Sequence, residues 1–115
     1  MYKKVSKNEA EHYIWGTECD SWVFVDSQAL SVKLESMPSG TKENAHYHGE
    51  ATQFFYLIKG EAVFHIDGKE VNVTTQEGIL ILPKAKHFIE NKSGETIDFL
   101  VISQPTTNND RFLAD

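Results

Sequence analysis

Two glycine-bounded segments place three histidines in this chain, and their spacing constrains the fold more than any other feature. Residues 40–60 contain His46 and His48, and residues 78–91 contain His87. Residues i and i+2 of a β-strand point to the same face, so His46 and His48 are expected to lie side by side. A ring from the second segment reaches them only if the sheet folds over on itself. The sequence therefore predicts a small β-barrel with the histidines converging inside it.

Short runs rich in β-forming residues continue along the chain, separated by turn residues. Asp67-Gly68 is a strong two-residue hairpin signal. The only helix candidate is a brief turn that Ser6 and Glu9 would cap. Nine or ten short, regularly spaced strands are typical of a sandwich or barrel, so the predicted fold class is all-β. The strands are predicted at residues 22–25, 30–35, 46–48, 52–58, 62–66, 70–74, 79–82, 87–90 and 96–103.

Residues 30–35 alternate between apolar and polar side chains. We expect the apolar set to face the core and the polar set to face solvent, as in a half-buried strand. The inward set is Leu30, Val32 and Leu34, and the outward set is Ser31, Lys33 and Glu35.

Residues 53–58 are apolar on both predicted faces. An apolar outer face requires cover. We therefore predict a homodimer through this face, with the N-terminal segment as the alternative cover. The lumen set is Gln53, Phe55 and Leu57, and the outward set is Phe54, Tyr56 and Ile58. The full set of predicted barrel-lining residues is Phe55, Leu57, Ile81, Ile89, Phe99 and Val101.

Length and composition limit the possible partners. The chain has 115 residues, which suits one domain over residues 1–115, with an N-terminal arm at 1–20 and a polar tail at 105–115. The net charge is -6 without a basic stripe, which argues against nucleic acid or an anionic membrane as partner. The single Cys19 and the absence of an apolar signal segment predict a cytoplasmic protein. A small-molecule ligand is the expected partner.

The two segments resemble the paired motifs of the cupin superfamily, the small double-stranded β-helix or jelly-roll barrels. In the first motif Gln53 stands where glutamate is usual. In the second motif Ala85 replaces a glycine, and the gaps on both sides of Pro83 are each one residue short. The resemblance covers about half the chain and is specific for the fold but weak for the reaction. The matching positions are Gly40, His46, His48, Gly60, Gly78, Pro83, His87 and Asn91.

The resemblance implies that one divalent transition metal binds His46, His48 and His87, with Gln53 as the fourth ligand. Neutral imidazoles suit Fe, Mn, Ni, Zn or Cu. A neutral amide would leave the site at +2, which favours bound anions such as an enolate or carboxylate. Alternatively, Gln53 only hydrogen-bonds a histidine. Glu43 or Glu50 could replace the missing carboxylate, although solvated loop acids are the default interpretation.

The remaining residues of interest are interpreted as structural or exposed. Tyr47 is expected to point away from the site, and His12 and His65 are read as surface or structural histidines. Asp110 and Arg111 are read as part of a solvated tail, with an ion pair or anion binding as the alternative. Trp15 and Trp22 are expected to pack in the core or at an interface.

Three functions remain open from the sequence. The first is a metal-dependent enzyme that acts on a small organic molecule, as a dioxygenase or as a sugar or keto isomerase. Alternatively, it is a non-catalytic barrel that binds or senses a small ligand. The third alternative is a metal-free isomerase or epimerase with His46 or His48 as base.

Overall fold

The computed structural model describes residues 1–114; Asp115, the last residue of the predicted tail, lies outside the described residues. Eleven β-strands account for the regular structure, and no helix occurs in the described chain, which confirms the all-β prediction. The strands are β1 (Glu11–Trp15), β2 (Cys19–Asp26), β3 (Ser31–Met37), β4 (His46–Tyr47), β5 (Thr52–Lys59), β6 (Glu61–Ile66), β7 (Lys69–Thr74), β8 (Gly78–Ile81), β9 (His87–Glu90), β10 (Ile97–Gln104) and β11 (Phe112–Leu113).

Two antiparallel sheets form the double-stranded barrel. The six-stranded sheet has the order β1-β2-β3-β10-β5-β8, and the five-stranded sheet has the order β11-β4-β9-β6-β7. The two sheets alternate along the chain, so residues far apart in sequence face each other across the lumen. Between Met1 and Ala114 there is no helix that could cross a membrane.

The core fills one part of the lumen with aromatic and aliphatic side chains. The six predicted barrel-lining residues are all buried, with exposures of 7% or less. The ring of Phe55 packs edge-on against Phe64 with 5.0 Å between centroids, and lies 5.9 Å from Phe99. Because Phe55 and Phe99 lie on one sheet and Phe64 on the other, this cluster holds the two sheets together.

The predicted orientation of β3 is wrong. Ser31 is buried, Lys33 and Glu35 line a cavity in the lumen, and Leu30 is exposed. Residues directly opposite each other in an antiparallel pair share a face. Ser31 pairs with Ser103 and Ser103 with Gln53, which forms one polar row across the inner face of the six-stranded sheet. The polar side of β3 therefore faces a polar cavity rather than solvent.

The apolar side of β3 belongs to a broad outer face. Leu34 pairs with Leu100 and Leu100 with Tyr56, while Val32 pairs with Ile102 and Ile102 with Phe54. These rows extend the outward set predicted for β5 across three strands. Phe54, Ile58, Leu80 and Leu82 are 38%, 44%, 58% and 61% exposed. We call this surface the outer apolar face; it consists of Val32, Leu34, Phe54, Tyr56, Ile58, Leu80, Leu82, Leu100 and Ile102.

Both ends of the chain join the sheets. β1 pairs with β2 along its length, so residues 11–20 extend the six-stranded sheet. β11 pairs with β4, with Phe112 opposite Tyr47 and Leu113 opposite His46. The tail thus joins the sheet through its backbone at β11, while the side chains of Arg111, Phe112 and Leu113 stay exposed. Near Ser6 the chain forms the brief turn that the sequence predicts, in which the amides of Glu9 and Ala10 donate to the Ser6 carbonyl.

Two motif glycines have steric roles. Gly60 has φ +97, and a Cβ there would lie 2.6 Å from Cγ2 of Ile97. Gly78 begins β8 opposite Tyr56, where a Cβ would lie 2.4 Å from Cζ of Phe54 and 2.8 Å from the Phe55 carbonyl oxygen. Any side chain at position 78 would force β8 away from β5. These glycines let the strands close on each other.

Candidate metal centre

The three motif histidines meet in the lumen. His46 lies on β4 and pairs in register with His87 on β9, and His48 follows β4 by one residue. Ring centroids are 4.4 Å apart for His46 and His87, 5.1 Å for His46 and His48, and 5.5 Å for His48 and His87. One ring nitrogen from each histidine lies within 4.8 Å of the other two. Three nitrogens at this separation can surround one metal ion.

The shortened second motif does not displace His87. Lys84 takes the left-handed conformation with φ +73, and its amide donates to the His48 carbonyl at 2.7 Å. The loop between β8 and β9 is therefore tied to the segment that carries the other two rings. A tighter turn compensates for the shortened spacing around Pro83.

Backbone carbonyls fix the same tautomer in all three rings. Nδ1 lies 2.8 Å from the Asn44 carbonyl in His46, 2.7 Å from the Asp110 carbonyl in His48, and 2.9 Å from the Ala85 carbonyl in His87. A carbonyl only accepts, so each Nδ1 must carry the hydrogen. Each neutral ring then presents the lone pair of Nε2, the arrangement that metal-binding histidines require.

The local environment keeps the three rings neutral. His46, His48 and His87 are 3%, 4% and 2% exposed. Burial lowers the pKa of His46 to about 3, and burial also lowers the pKa of His48 and His87. Protonation would desolvate a charge and would place cations beside each other. At neutral pH all three lone pairs are therefore available.

The hydrogen bonding of two of the rings indicates that these ligand atoms suit a metal ion. Nε2 of His48 is buried and has no hydrogen-bond partner among residues 1–114. Nε2 of His87 lies 3.2 Å from Oε1 of Gln53, so that two acceptors face each other. A buried polar atom without a partner is unfavourable. A cation between these atoms would satisfy both.

The side chain of Gln53 is held from its other end. Its amide nitrogen donates to Oγ of Ser103 at 3.1 Å. A hydroxyl both donates and accepts, so Ser103 can serve Gln53 in either amide orientation. With Oε1 toward the rings, Gln53 offers a ligand; with its NH2 group toward them, it donates to His87. The structure thus brings Gln53 together with the histidines, and its role as a ligand stays a prediction.

The C-terminal segment positions one of the rings. The carboxylate of Asp110 accepts hydrogen bonds from the amides of Gly49, Glu50 and Ala51 at 2.7 to 3.0 Å. Although burial opposes the charge, these donors lower the pKa of Asp110. The same residue supplies the carbonyl that orients His48. Sequence reasoning missed this role because the contact joins residues about 60 positions apart.

His46, His48 and Gln53 line a cavity of about 510 Å³. Its wall carries charges that the sequence analysis placed in solvent. Lys33 and Glu35 enter from β3, Glu43 from the segment before β4, and Arg111 from the C-terminal segment. Nη2 of Arg111 lies 3.5 Å from Nδ1 of His46. Lys33 and Glu35 follow Ser31 at every second position, so all three side chains share one face of β3. Ser31 belongs to the row that contains Gln53, and this shared face is the signal that could have placed Lys33 and Glu35 in the lumen.

The other candidates lie outside the cavity. Tyr47 stacks on Phe112 with 5.3 Å between ring centroids, on the side away from the histidines as predicted. His65 stacks on Phe88 and contacts Glu90 at 2.9 Å, and His12 contacts Asp20 at the surface. Glu50 is exposed. Of the two tryptophans, Trp15 lines the cavity, whereas Trp22 lies under the ammonium group of Lys7.

Comparison with known proteins gives a consistent picture of the fold. The model of the cupin domain family matches residues 33–103, which include all four residues of the candidate centre. An oxalate-binding protein of Thermotoga maritima is 29% identical over 66 residues, which are 57% of this chain and 54% of that protein. The chain thus matches about half the length of this curated relative.

Two solved structures share the architecture. A predicted oxalate decarboxylase from Thermotoga maritima superposes with a TM-score of 0.83 at 20% identity, covering 90% of this chain and 100% of that chain. The polyketide cyclase RemF from Streptomyces resistomycificus superposes with a TM-score of 0.80 at 19% identity, covering 92% of this chain and 81% of that chain. At these identities the likeness concerns the fold alone.

Proposed function

The chain belongs to the cupin family, and from that premise we propose that it is a metal-dependent enzyme acting on a small organic anion. His46, His48 and His87 hold one divalent transition metal, and Gln53 supplies the fourth donor. The observation that carries this proposal is the common tautomer of the three rings, which leaves all three Nε2 lone pairs free, on histidines whose ring nitrogens come within 4.8 Å of one another. The buried Nε2 of His48, unpartnered in the described chain, supports it.

The charge of the site selects the ligand. Three neutral imidazoles and an amide leave a divalent ion with its full charge. The wall adds the positive charges of Lys33 and Arg111 and two carboxyl groups, Glu35 and Glu43, whose raised pKa values reduce their negative charge at neutral pH. A carboxylate, enolate or keto acid therefore suits the cavity. A bound divalent metal supplies Lewis-acid polarisation of a ligand oxygen, or a site for O2. Phe55 and Val101 line the cavity on its apolar side and limit the water beside the ligand.

The reaction type is proposed as isomerisation or dioxygenation of such an anion. Both reactions need a chelating oxygen pair at the histidines and an apolar wall for the carbon skeleton. A cytoplasmic location and a homodimer complete the proposal. The dimer is supported by the outer apolar face, because exposed apolar surface of this extent is typical of an interface.

A second candidate is a non-catalytic ligand-binding barrel. Gln53 favours this function because an amide cannot act as a base at neutral pH, and the similar Thermotoga maritima protein is named for binding oxalate. Product formation separates the two candidates. The enzyme turns over a member of a panel of keto acids and keto sugars, whereas the binding barrel only retains it.

Oxalate is the probe for the shared part of both functions. The metal-loaded chain should be stabilised against thermal unfolding by oxalate in a concentration-dependent manner, because a ligand that binds only the folded state raises its stability. His46→Ala should abolish the shift, and His65→Ala, outside the cavity, should retain it. Equal shifts in wild type and His46→Ala would refute the proposal.

A further inference from the structure

Two carboxyl groups share the cavity with the histidines, and the proposed metal centre uses neither. Glu35 projects from β3 of the six-stranded sheet into the lumen. Glu43 lies before β4, beside the bridge between Lys42 and Glu90 that joins this segment to the five-stranded sheet. The two carboxyl groups therefore reach one cavity from different sheets.

Glu43 is rigidly held. Its amide donates to the Ile89 carbonyl at 3.0 Å, and its Oε1 accepts from the Ile89 amide at 3.1 Å. Both contacts lie on β9, the strand that carries His87. A side chain fixed at its backbone and at one carboxyl oxygen keeps its position relative to the histidines.

Ser21 is a buried hydroxyl beside Glu35. It pairs in register with Glu35, so its side chain shares the lumen face. Ser21 is 0% exposed, and its hydroxyl favours the charged form of Glu35, which opposes the effect of burial on the pKa of that carboxyl. On the cavity wall, the buried Nε2 of His48 has no hydrogen-bond partner in residues 1–114. A buried polar atom of this kind is suited to contact with a polar ligand.

The surrounding charges only partly compensate the two carboxylates. Lys33 and Arg111 line the same cavity as Glu35 and Glu43. Burial, together with the charge of Glu35, raises the pKa of Glu43 to about 8, although the charge of Arg111 opposes the shift. Burial raises the pKa of Glu35 to about 7, although the charge of Lys33 opposes it. Burial also raises the pKa of the Cys19 thiol, and the charges of Glu35 and Glu43 act in the same direction.

We propose that Glu35 and Glu43 form a carboxyl pair that holds a proton at neutral pH and donates it to an oxygen anion bound beside the histidines. This inference deepens the proposed function, on which it rests for the ligand. The proton moves from a carboxyl oxygen to the ligand oxygen, the carboxylate remains, and water at the cavity mouth returns the proton. The pair thereby supplies the acid and base that Gln53 cannot provide.

Carboxyl-carbon NMR of the full chain, labelled in its glutamate side chains, tests the pair directly. Two resonances should titrate near pH 7 and 8, separate from the exposed glutamates. Glu35→Gln should remove one resonance and lower the midpoint of Glu43 by about one unit, because a neighbouring charge is lost. Glu50→Gln, which changes an exposed acid, should leave both midpoints in place.

A midpoint of Glu43 near the ordinary 4.5, or one that ignores Glu35→Gln, overturns the inference. The titration needs neither metal nor ligand. A chain that fails to bind metal but shows the paired titration would therefore contradict the proposed function without contradicting the pair.

The pH dependence of stability provides a second measurement. Folded carboxyl groups with a raised pKa bind protons that the unfolded chain releases, so the free energy of unfolding falls as pH rises from about 4.5 to 8. The buried histidines lose stability in the opposite direction, as pH falls below their ordinary 6.5. The histidine contribution is common to the wild type and Glu43→Gln, so Glu43→Gln should remove part of the loss of stability between pH 6.5 and 8 relative to the wild type. An unchanged slope in Glu43→Gln overturns the inference.

Discussion

Gln53 is the residue at which the candidate centre departs from the usual motif. The polar row of Ser31, Ser103 and Gln53 crosses the inner face of the six-stranded sheet, and the amide ends 3.2 Å from Nε2 of His87. A carboxylate at this position would reduce the net charge of a divalent site from +2 to +1. We therefore predict that the amide lowers the affinity for the metal and raises the affinity for anions.

Gln53→Glu should raise the affinity for a divalent metal by roughly tenfold, the equivalent of about 1.4 kcal/mol. The physical reason is the added negative charge at an unchanged position. Competition with a chelator of known affinity measures the change, and Gln104→Glu, an exposed neighbour on the same sheet, provides the matched control. Equal or weaker metal affinity in Gln53→Glu would show that residue 53 does not contact the metal.

The segment just before β11 positions His48. The carboxylate of Asp110 accepts from three backbone amides, so Asp110→Ala should destabilise the chain by roughly 1–2 kcal/mol. The variant keeps the backbone carbonyl that accepts from Nδ1 of His48, but it loses the carboxylate contacts that fix this segment, so metal binding should weaken because the ring is less firmly oriented. Urea unfolding and metal titration measure the two effects. Asn108→Ala, an exposed change in the same segment, should alter neither, and a silent Asp110→Ala would refute this role.

Gly78, the first residue of the second motif, allows β8 to pack closely on β5. Gly78→Ala places a Cβ against the Phe54 ring and the Phe55 carbonyl, so we expect a loss of about 1–3 kcal/mol. Gly94→Ala is the matched control, because a Cβ there has no neighbour within 4 Å. Urea unfolding of both variants decides the point. Equal stabilities would mean that β8 shifts without cost.

The sequence predicted the elements that local patterns determine. Nine of the strands follow from β-forming runs between turn residues, and the histidine set follows from the motif spacing. β1 was missed because its β-forming run, Tyr13-Ile14-Trp15, is only three residues long, and β11 was missed because Phe112–Leu113 is only two; both segments pair with a neighbouring strand, β2 and β4 respectively.

The face of β3 was misassigned for a more general reason. Alternation of apolar and polar residues shows which side chains share a face of a strand, but not which of the two faces is exposed to water. In this barrel the inner side of β3 borders a polar cavity, and its outer side continues the apolar rows of β10 and β5. Val32 and Leu34, whose alternation is typical of a core strand, belong to the outer apolar face of this barrel. Glu35 was therefore predicted to face solvent, whereas it lines the cavity.

At the scale of the whole molecule, we predict that the outer apolar face is the interface of a homodimer. A homodimer through this face should give a native mass of twice the 13.1 kDa of the chain. Phe54→Lys should produce a monomer, because a charge cannot be buried unpaired in an apolar interface. Val71→Lys, an exposed apolar position on the other sheet, should leave the dimer intact. A wild-type monomer at micromolar concentration would contradict the dimer.

Metal content of the untagged chain is the most direct test of the proposed function, because that function requires a metal at the three histidines. Elemental analysis should find about one divalent transition-metal ion per chain, with the metal lost in His87→Ala and retained in His65→Ala, a histidine outside the cavity. A chain that binds no metal when supplied with Fe, Mn, Ni, Zn or Cu, or that binds it equally in His87→Ala, would contradict the account.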